Sequence, residues 1–268
     1  MSDVSVIGER LVPDRFKVAK KQYLLYLRHL FVYDFAIGRM PAEARVLEVG
    51  CGEGYGTSLI GQKVREVTGL DIDPAAVDHA GRRYGSDRCR FVRYDGVRIP
   101  FADGTFDVAV SFQVIEHVPD DRAFVAEAHR VLAPGGIYMI TTPNRTLRLE
   151  PGQKPWNRYH RREYYPRELA EILAGKFAES VVWGLKGRGE VQQLLTAKFK
   201  PGSPIVSFLR RAVPEAAKLA ALSVRNRLPA LLGGERDKSY LERYGFGDFY
   251  METEDVDNTL DLFGCCRK

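Results

Sequence analysis

The stretch RVLEVGCGEGYG, residues 45–56, decides the fold. Its first half reads as a short, mostly apolar strand. Its second half is a glycine-dense turn, with Gly50, Gly52, Gly54 and Gly56 at alternate positions. Such a turn lets the backbone bend sharply or lets a ligand approach it closely. TSLIGQKV then returns to a helical rhythm. The block is strand, glycine turn, helix.

The rhythm continues outward on both sides. REVTGLDID (65–73) is a second strand closing on Asp71 and Asp73, and PAAVDHAGRRY (74–84) a helix that starts with proline, a residue tolerated there. RCRFVRYD (88–95) and TFDVAVSFQV (105–114) are further strands. DDRAFVAEAHRVLAPGG (120–136) is an amphipathic helix closed by Pro134 and a glycine pair, and IYMITTPN (137–144) is a fifth strand. A helix opened by Pro166, a sixth strand at 178–185 and a last strand at 259–268 follow. Upstream, residues 22–38 read as a helix on which Leu24, Leu27, Phe31 and Phe35 share one side. Alternation of apolar strands with helices predicts a doubly wound α/β sheet covered on both faces. The expected organisation is a lead-in and helix over 1–40, a core over 41–185, a helical insertion or lid over 186–250, and the final core strand over 251–268.

Composition narrows the function classes. The 268 residues are 45% hydrophobic and 28% charged, with a net charge of +5. This is an ordinary globular balance. No Lys/Arg stripe marks a nucleic-acid surface, so no nucleic-acid partner is expected. The most apolar segment, 205–232, is interrupted by Arg210, Arg211, Glu215, Lys218, Arg225 and Arg227, and no run reaches membrane-spanning length. MSDVSVIGER has no basic stretch leading into an apolar run, so the expected location is cytoplasmic. Cys51, Cys89, Cys265 and Cys266 form no C-x2-C pair, and no metal site is expected from spacing. Cys265 and Cys266 sit in a strand-like run and should face opposite sides of a sheet.

In such sheets ligands bind beyond the carboxyl ends of the strands. Glycines or polar residues gather there at 50–56, Asp71, Asp95, 112–117 and 142–145. Glu48, just before the glycines, is awkward beside a pyrophosphate but suits the ammonium of a zwitterionic ligand. Its structural alternative is a carboxylate tying down the turn. Asp71 can accept hydrogen bonds from ribose hydroxyls; Asp73 fits the cap of the following helix better. Asp95 can accept from an adenine amine, or serve as a turn residue before Gly96.

These blocks, in this order, resemble the class I S-adenosylmethionine-dependent methyltransferases of the UbiE/UbiG-like (type 11) group. The resemblance rests on VLEVGCGEGYG (46–56), VTGLDID (67–73), FVRYDGVRIPFADGTFDVAVSFQVIEHVPD (91–120), HRVLAPGG (129–136) and IYMITTPN (137–144). It implies S-adenosyl-L-methionine as cofactor. Glu48, Gly50, Cys51, Gly52 and Gly54 would surround its amino-acid end, Asp71 and Ile72 its ribose, and Asp95 and Gly96 its adenine. Phe112, Gln113 and His117 would lie near the methyl. It also implies a seven-stranded, mostly parallel sheet closed by an antiparallel last strand.

Methyl transfer to a hydroxyl gains from a general base. His117, in IEHVPD, and His160, in WNRYHRREYY, are the two candidates. On a helix His160 and Glu163 would share a face and act as a base with its orienting carboxylate. For each histidine the alternative is a structural role in its loop. IGERLVP (7–13), RHLFVYDFA, TPNR and NRYHRREYYPREL resemble bacterial methyltransferases that accompany glycan and cell-envelope biosynthesis. That resemblance implies a sugar or glycan hydroxyl as acceptor. Trp156, Tyr159 and Tyr164 could stack on a sugar face and Arg161 could meet an anionic group; alternatively they pack and solvate the loop. The basic amphipathic pattern over 205–232 could cover a lipid-linked acceptor, touch the inner membrane peripherally, or form a lid or homodimer face. Rival classes are a quinone-type or natural-product O- or C-methyltransferase, with a largely apolar pocket, and a non-catalytic cofactor-binding regulator.

Overall fold

A computed structural model of the chain describes residues 19–155, 157–197 and 238–268. Trp156, IGERLVP and the 205–232 segment lie outside the described residues.

The first helix, α1 (Lys20–Ile37), leads into alternating elements: β1 (Arg45–Val49), α2 (Tyr55–Gly61), β2 (Glu66–Asp71), α3 (Pro74–Tyr84), β3 (Cys89–Arg93), β4 (Phe106–Phe112), α4 (Asp121–Val131) and β5 (Leu132–Pro143). A short helix, α5 (Arg145–Arg148), opens the following loop. Then come α6 (Pro166–Ala174), β6 (Glu179–Gly187), α7 (Gly189–Thr196), β7 (Phe249–Glu252) and β8 (Asp261–Arg267). The sheet order is β3-β2-β1-β4-β5-β8-β6-β7. β1 to β5 pair in parallel. β8 enters antiparallel between β5 and β6, as expected of the last strand.

The sheet has eight strands, not seven. β7 lies at the junction of the expected insertion and final strand. It covers the outer edge of β6, whose backbone groups would otherwise be unpaired. A second difference concerns α4, which stops at Val131 and not after the glycine pair. Pro134 disfavours helical geometry at Ala133, so LAPGG runs extended into β5. The register between Phe106 and Val108 shifts to absorb it.

Two cores sandwich the sheet. Along β1, Val46 faces one side and Leu47 the other, the period-two alternation of a strand. α1, α2 and α7 cover the first face, where Leu24, Tyr33, Ile60 and Val191 meet Val46, Val108 and Phe263. α4 and α6 cover the second, where Val125, Leu169 and Phe177 meet Leu47, Ala109 and Tyr138. Cys265 packs against the first core and Cys266 belongs to the second. Among the described residues, no helix is long and apolar enough to cross a membrane.

Candidate active site

β1 delivers its carboxyl end into a turn in which Gly50, Gly52 and Gly54 all take positive φ. Only glycine adopts this backbone cheaply. The reasons for the three differ. A Cβ on Gly50 would meet Val114 Cγ2 at 2.4 Å, and one on Gly54 would meet Ala80 Cβ at 2.5 Å. A Cβ on Gly52 would meet nothing within 4 Å. Gly50 and Gly54 are therefore required by packing. Gly52 presents bare backbone to open space, as a turn approached by a ligand must.

Asp71 ends β2 beside this turn. Its Oδ2 accepts from Gly52 N–H and its Oδ1 from Asp73 N–H, both at 2.9 Å. Each carboxylate oxygen has a second lone pair, so this anchoring is compatible with ribose binding. Asp73 caps α3 by accepting from Ala75 N–H at 2.9 Å. Cys51 is buried, and its N–H is donated to Leu70 O at 2.8 Å. At the end of β3, Asp95 is exposed. Its Oδ1 accepts from Val97 and Arg98 N–H, and these bonds hold its pKa below the usual carboxylate range. Ile72 and Val97 flank Asp95 and Gly96 with unusually exposed apolar side chains, 59% and 73%. Val97 carries no motif and was not singled out in the sequence.

Glu48, expected to meet an ammonium directly or through water, already has two partners within the protein. It is 1% exposed, and its carboxyl accepts from Tyr33 Oη and Thr57 Oγ1, both at 2.5 Å. Burial pushes its pKa up to about 7 against the lowering effect of these bonds. As placed, it ties α1 and α2 to β1, the structural alternative. A direct ammonium contact would require at least one of these bonds to be exchanged.

β4 ends in Phe112 and Gln113. Gln113 has φ +60°, rare for a residue with a side chain, and strain of this kind gathers at functional sites. Its Nε2 donates to Thr141 Oγ1 at 3.3 Å. These residues border a narrow cleft with Arg28, His29, Tyr33 and Asp261. Arg28 Nε lies 3.2 Å from Asp261 Oδ2, and among the described residues neither that nitrogen nor Asp261 Oδ1 has a hydrogen-bond partner of good geometry. Burial pushes the Asp261 pKa up despite Arg28. Burial and then Arg28 hold the His29 pKa well below its ordinary value, favouring neutral imidazole. α1 was read only as a packing helix; its Arg28 and Tyr33 had no sequence signal beyond their place on it.

The two candidate histidines come together. Their rings meet edge-on with centroids 4.8 Å apart. The segment after residue 156 is a loop and not a helix. His160 Nδ1 nevertheless lies 2.9 Å from Glu163 Oε1, so the expected pair forms by a turn. Arg148 on α5 donates twice to the same carboxylate, at 2.8 and 2.9 Å. Burial alone would raise the Glu163 pKa, but the His160 and Arg148 contacts outweigh it and lower the value. An ionised Glu163 accepts the Nδ1 proton of His160, which places the imidazole lone pair on Nε2. His117 Nδ1 lies 3.1 Å from Tyr159 O; a carbonyl only accepts, so this nitrogen carries the proton. Between them lies Glu116, wholly buried, its Oε2 accepting from Thr142 Oγ1 at 3.0 Å. Burial raises its pKa to about 7.

Tyr164 requires a correction. It is 1% exposed, and its hydroxyl donates to Ile115 O and Asp121 Oδ2. It packs the loop onto the sheet and cannot stack on an acceptor. Arg161 braces the same junction, donating to Glu116 O from its backbone and to His117 O from its guanidinium. Tyr159 remains 39% exposed. Glu116, His117 and His160 place one potential ligand atom each within 4.8 Å of one another.

A doubly wound sheet, an open glycine turn after β1 and acids at or just past the ends of β2 and β3 are the layout of a class I methyltransferase. The comparisons agree. The methyltransferase domain family matches residues 47–140. A probable S-adenosylmethionine-dependent methyltransferase of Mycolicibacterium smegmatis is 40% identical over 218 residues, covering 80% of each chain. The chain belongs to the S-adenosylmethionine-dependent methyltransferase family, and S-adenosylmethionine is its cofactor. A fatty-acid O-methyltransferase of the same organism is 36% identical over 99 residues, 36% of each chain. The fold is shared with a methyltransferase structure from Thermotoga maritima, with a TM-score of 0.57 and 13% identity over 92% of each chain.

Proposed function

We propose that the protein methylates an oxygen acceptor, a hydroxyl of a sugar or glycan, with His160 as general base. The His160–Glu163–Arg148 chain carries this reading: a buried imidazole whose Nδ1 is fixed by an ionised carboxylate, itself clamped by an arginine. S-adenosylmethionine supplies an electrophilic methyl carbon and a neutral thioether leaving group. The backbone at Gly52, with Asp71, Asp95 and Gly96, would hold it, and Ile72 and Val97 would receive the adenine. Nε2 of His160 takes the hydroxyl proton as the oxygen–carbon bond forms and the carbon–sulfur bond breaks, its electron pair staying on sulfur. Glu163 stabilises the resulting imidazolium. Such a base contributes about 10²–10⁴ in rate.

Arg28, His29, Gln113 and Asp261 border the cleft beside the apolar Val32 and Phe112, and their polar groups are the ones a hydroxyl-bearing acceptor would use. Arg28 Nε and Asp261 Oδ1, without a hydrogen-bond partner of good geometry among the described residues, could satisfy neighbouring sugar hydroxyls. A second reading, a lipid or lipid-linked acceptor, is favoured by the fatty-acid O-methyltransferase relative. A lipid-linked glycan would satisfy both and would place the protein at the inner membrane surface. The test is transfer of isotopically labelled methyl to parallel panels of glycans, lipid-linked glycans and free fatty acids, read by mass spectrometry. Label on a glycan hydroxyl is the expected result. Label on fatty-acid carboxylates alone would select the lipid reading, and label on nitrogen or carbon would overturn both.

A further inference from the structure

His160 converges on the adjacent pair Glu116 and His117 from more than 40 residues further along the chain. One atom each from Glu116, His117 and His160 lies within 4.8 Å of the others. Glu116 Oε1 is buried and has no hydrogen-bond partner among the described residues. A buried carboxyl oxygen left without a partner is costly unless a cation or donor meets it.

The surroundings of the three residues match what a metal needs. Metal-binding imidazoles use one nitrogen for the ion and give the other's proton to a carboxylate or carbonyl. His160 Nδ1 is held by Glu163, and His117 Nδ1 by Tyr159 O. Glu116 is itself fixed by Thr142. Each prospective ligand thus has its orienting partner. We propose that Glu116, His117 and His160 form a binding site for one divalent transition-metal ion, using Nε2 of each histidine and Oε1 of Glu116.

Two imidazoles and one carboxylate suit zinc, cobalt, nickel, manganese or iron(II), and disfavour magnesium and calcium. Three ligands leave coordination positions for water. A metal on Nε2 of His160 would occupy the lone pair that takes the acceptor proton, so metal and proton transfer exclude each other. That consequence rests on the O-methylation reading; the site itself does not.

Titration of the purified full-length protein with Co²⁺ tests the site, by visible absorption and by equilibrium dialysis. The expected result is one Co²⁺ per chain. His117→Gln and Glu116→Gln should each weaken binding at least tenfold, and Glu163→Gln, through the orienting hydrogen bond, roughly 10–100-fold. Calorimetric binding of S-adenosylhomocysteine to each variant shows that it has folded. His160→Gln provides an independent ligand deletion should Glu116→Gln fail that check. Absence of Co²⁺ binding to the wild-type protein, or stoichiometric binding unchanged in His117→Gln and His160→Gln, would overturn the proposal. Because no methyl transfer is read, such a failure leaves the O-methylation reading standing, and failure of the acceptor panel leaves the metal site standing.

Discussion

Gly52 and His160 show how single residues divide the labour of the site. Gly52→Ala puts a Cβ at φ +53° into space that holds no protein atom. The strain of a left-handed non-glycine residue is about 1–2 kcal/mol. The added methyl stands where the cofactor must approach, so the fold should survive while calorimetry finds S-adenosylhomocysteine affinity reduced at least tenfold. His160→Gln should do the reverse, keeping that affinity and lowering the methyl-transfer rate by about 10²–10⁴. Equal loss of affinity and rate in His160→Gln would remove it from the base role. The glycine turn, Asp71, His160 and Glu163 were legible because their identities carry chemistry. Glu116, Arg148, Arg28 and Asp261 were not, because their meaning lies in contacts across 15 or more residues of separation, such as Arg148 with Glu163. Tyr164 was misread because an aromatic residue in a polar loop looks the same in sequence whether its ring faces solvent or core.

At the scale of elements, α1 is bound to the cofactor strand through one carboxyl. Tyr33 of α1 and Thr57 of α2 both donate to Glu48 of β1. Because burial raises the Glu48 pKa from 4.5 to about 7, the folded protein keeps a proton that the unfolded chain has released between those values. The unfolded state then binds fewer protons, and stability must fall as pH rises through that window. The full change is about 3 kcal/mol. Denaturant unfolding between pH 4 and 8 should show this decline, and Glu48→Gln should remove the Glu48 share of it, leaving that of Glu116, whose pKa burial raises to a similar value. A decline of the same size in Glu48→Gln would assign it to another group. Strand and helix order was readable from periodicity. The end of α4 and the existence of β7 were not. Four residues, FYME, carry no period of their own and become a strand only because the β6 edge is there to pair.

The whole molecule depends on its last residues. β8 is hydrogen-bonded to β5 on one side and β6 on the other, and Leu262 and Phe263 are fully buried in opposite cores. Removing residues 261–268 should leave β6 and β7 without a sheet to join and abolish the cooperative unfolding transition, as followed by circular dichroism. A cooperative transition retained in the truncated chain would show that β1 to β5 fold alone. β8 also brings Asp261 to the cleft. The account as a whole requires the bound cofactor to face the histidine cluster across a gap that one acceptor oxygen can bridge. A crystal structure with S-adenosylhomocysteine measures this directly. The predicted result places the ligand's amino-acid end over Gly52 and its sulfur toward His160, with room for an oxygen about 3 Å from both the transferred carbon and Nε2. A sulfur screened from His160 by protein, or directed away from the cluster, would contradict it.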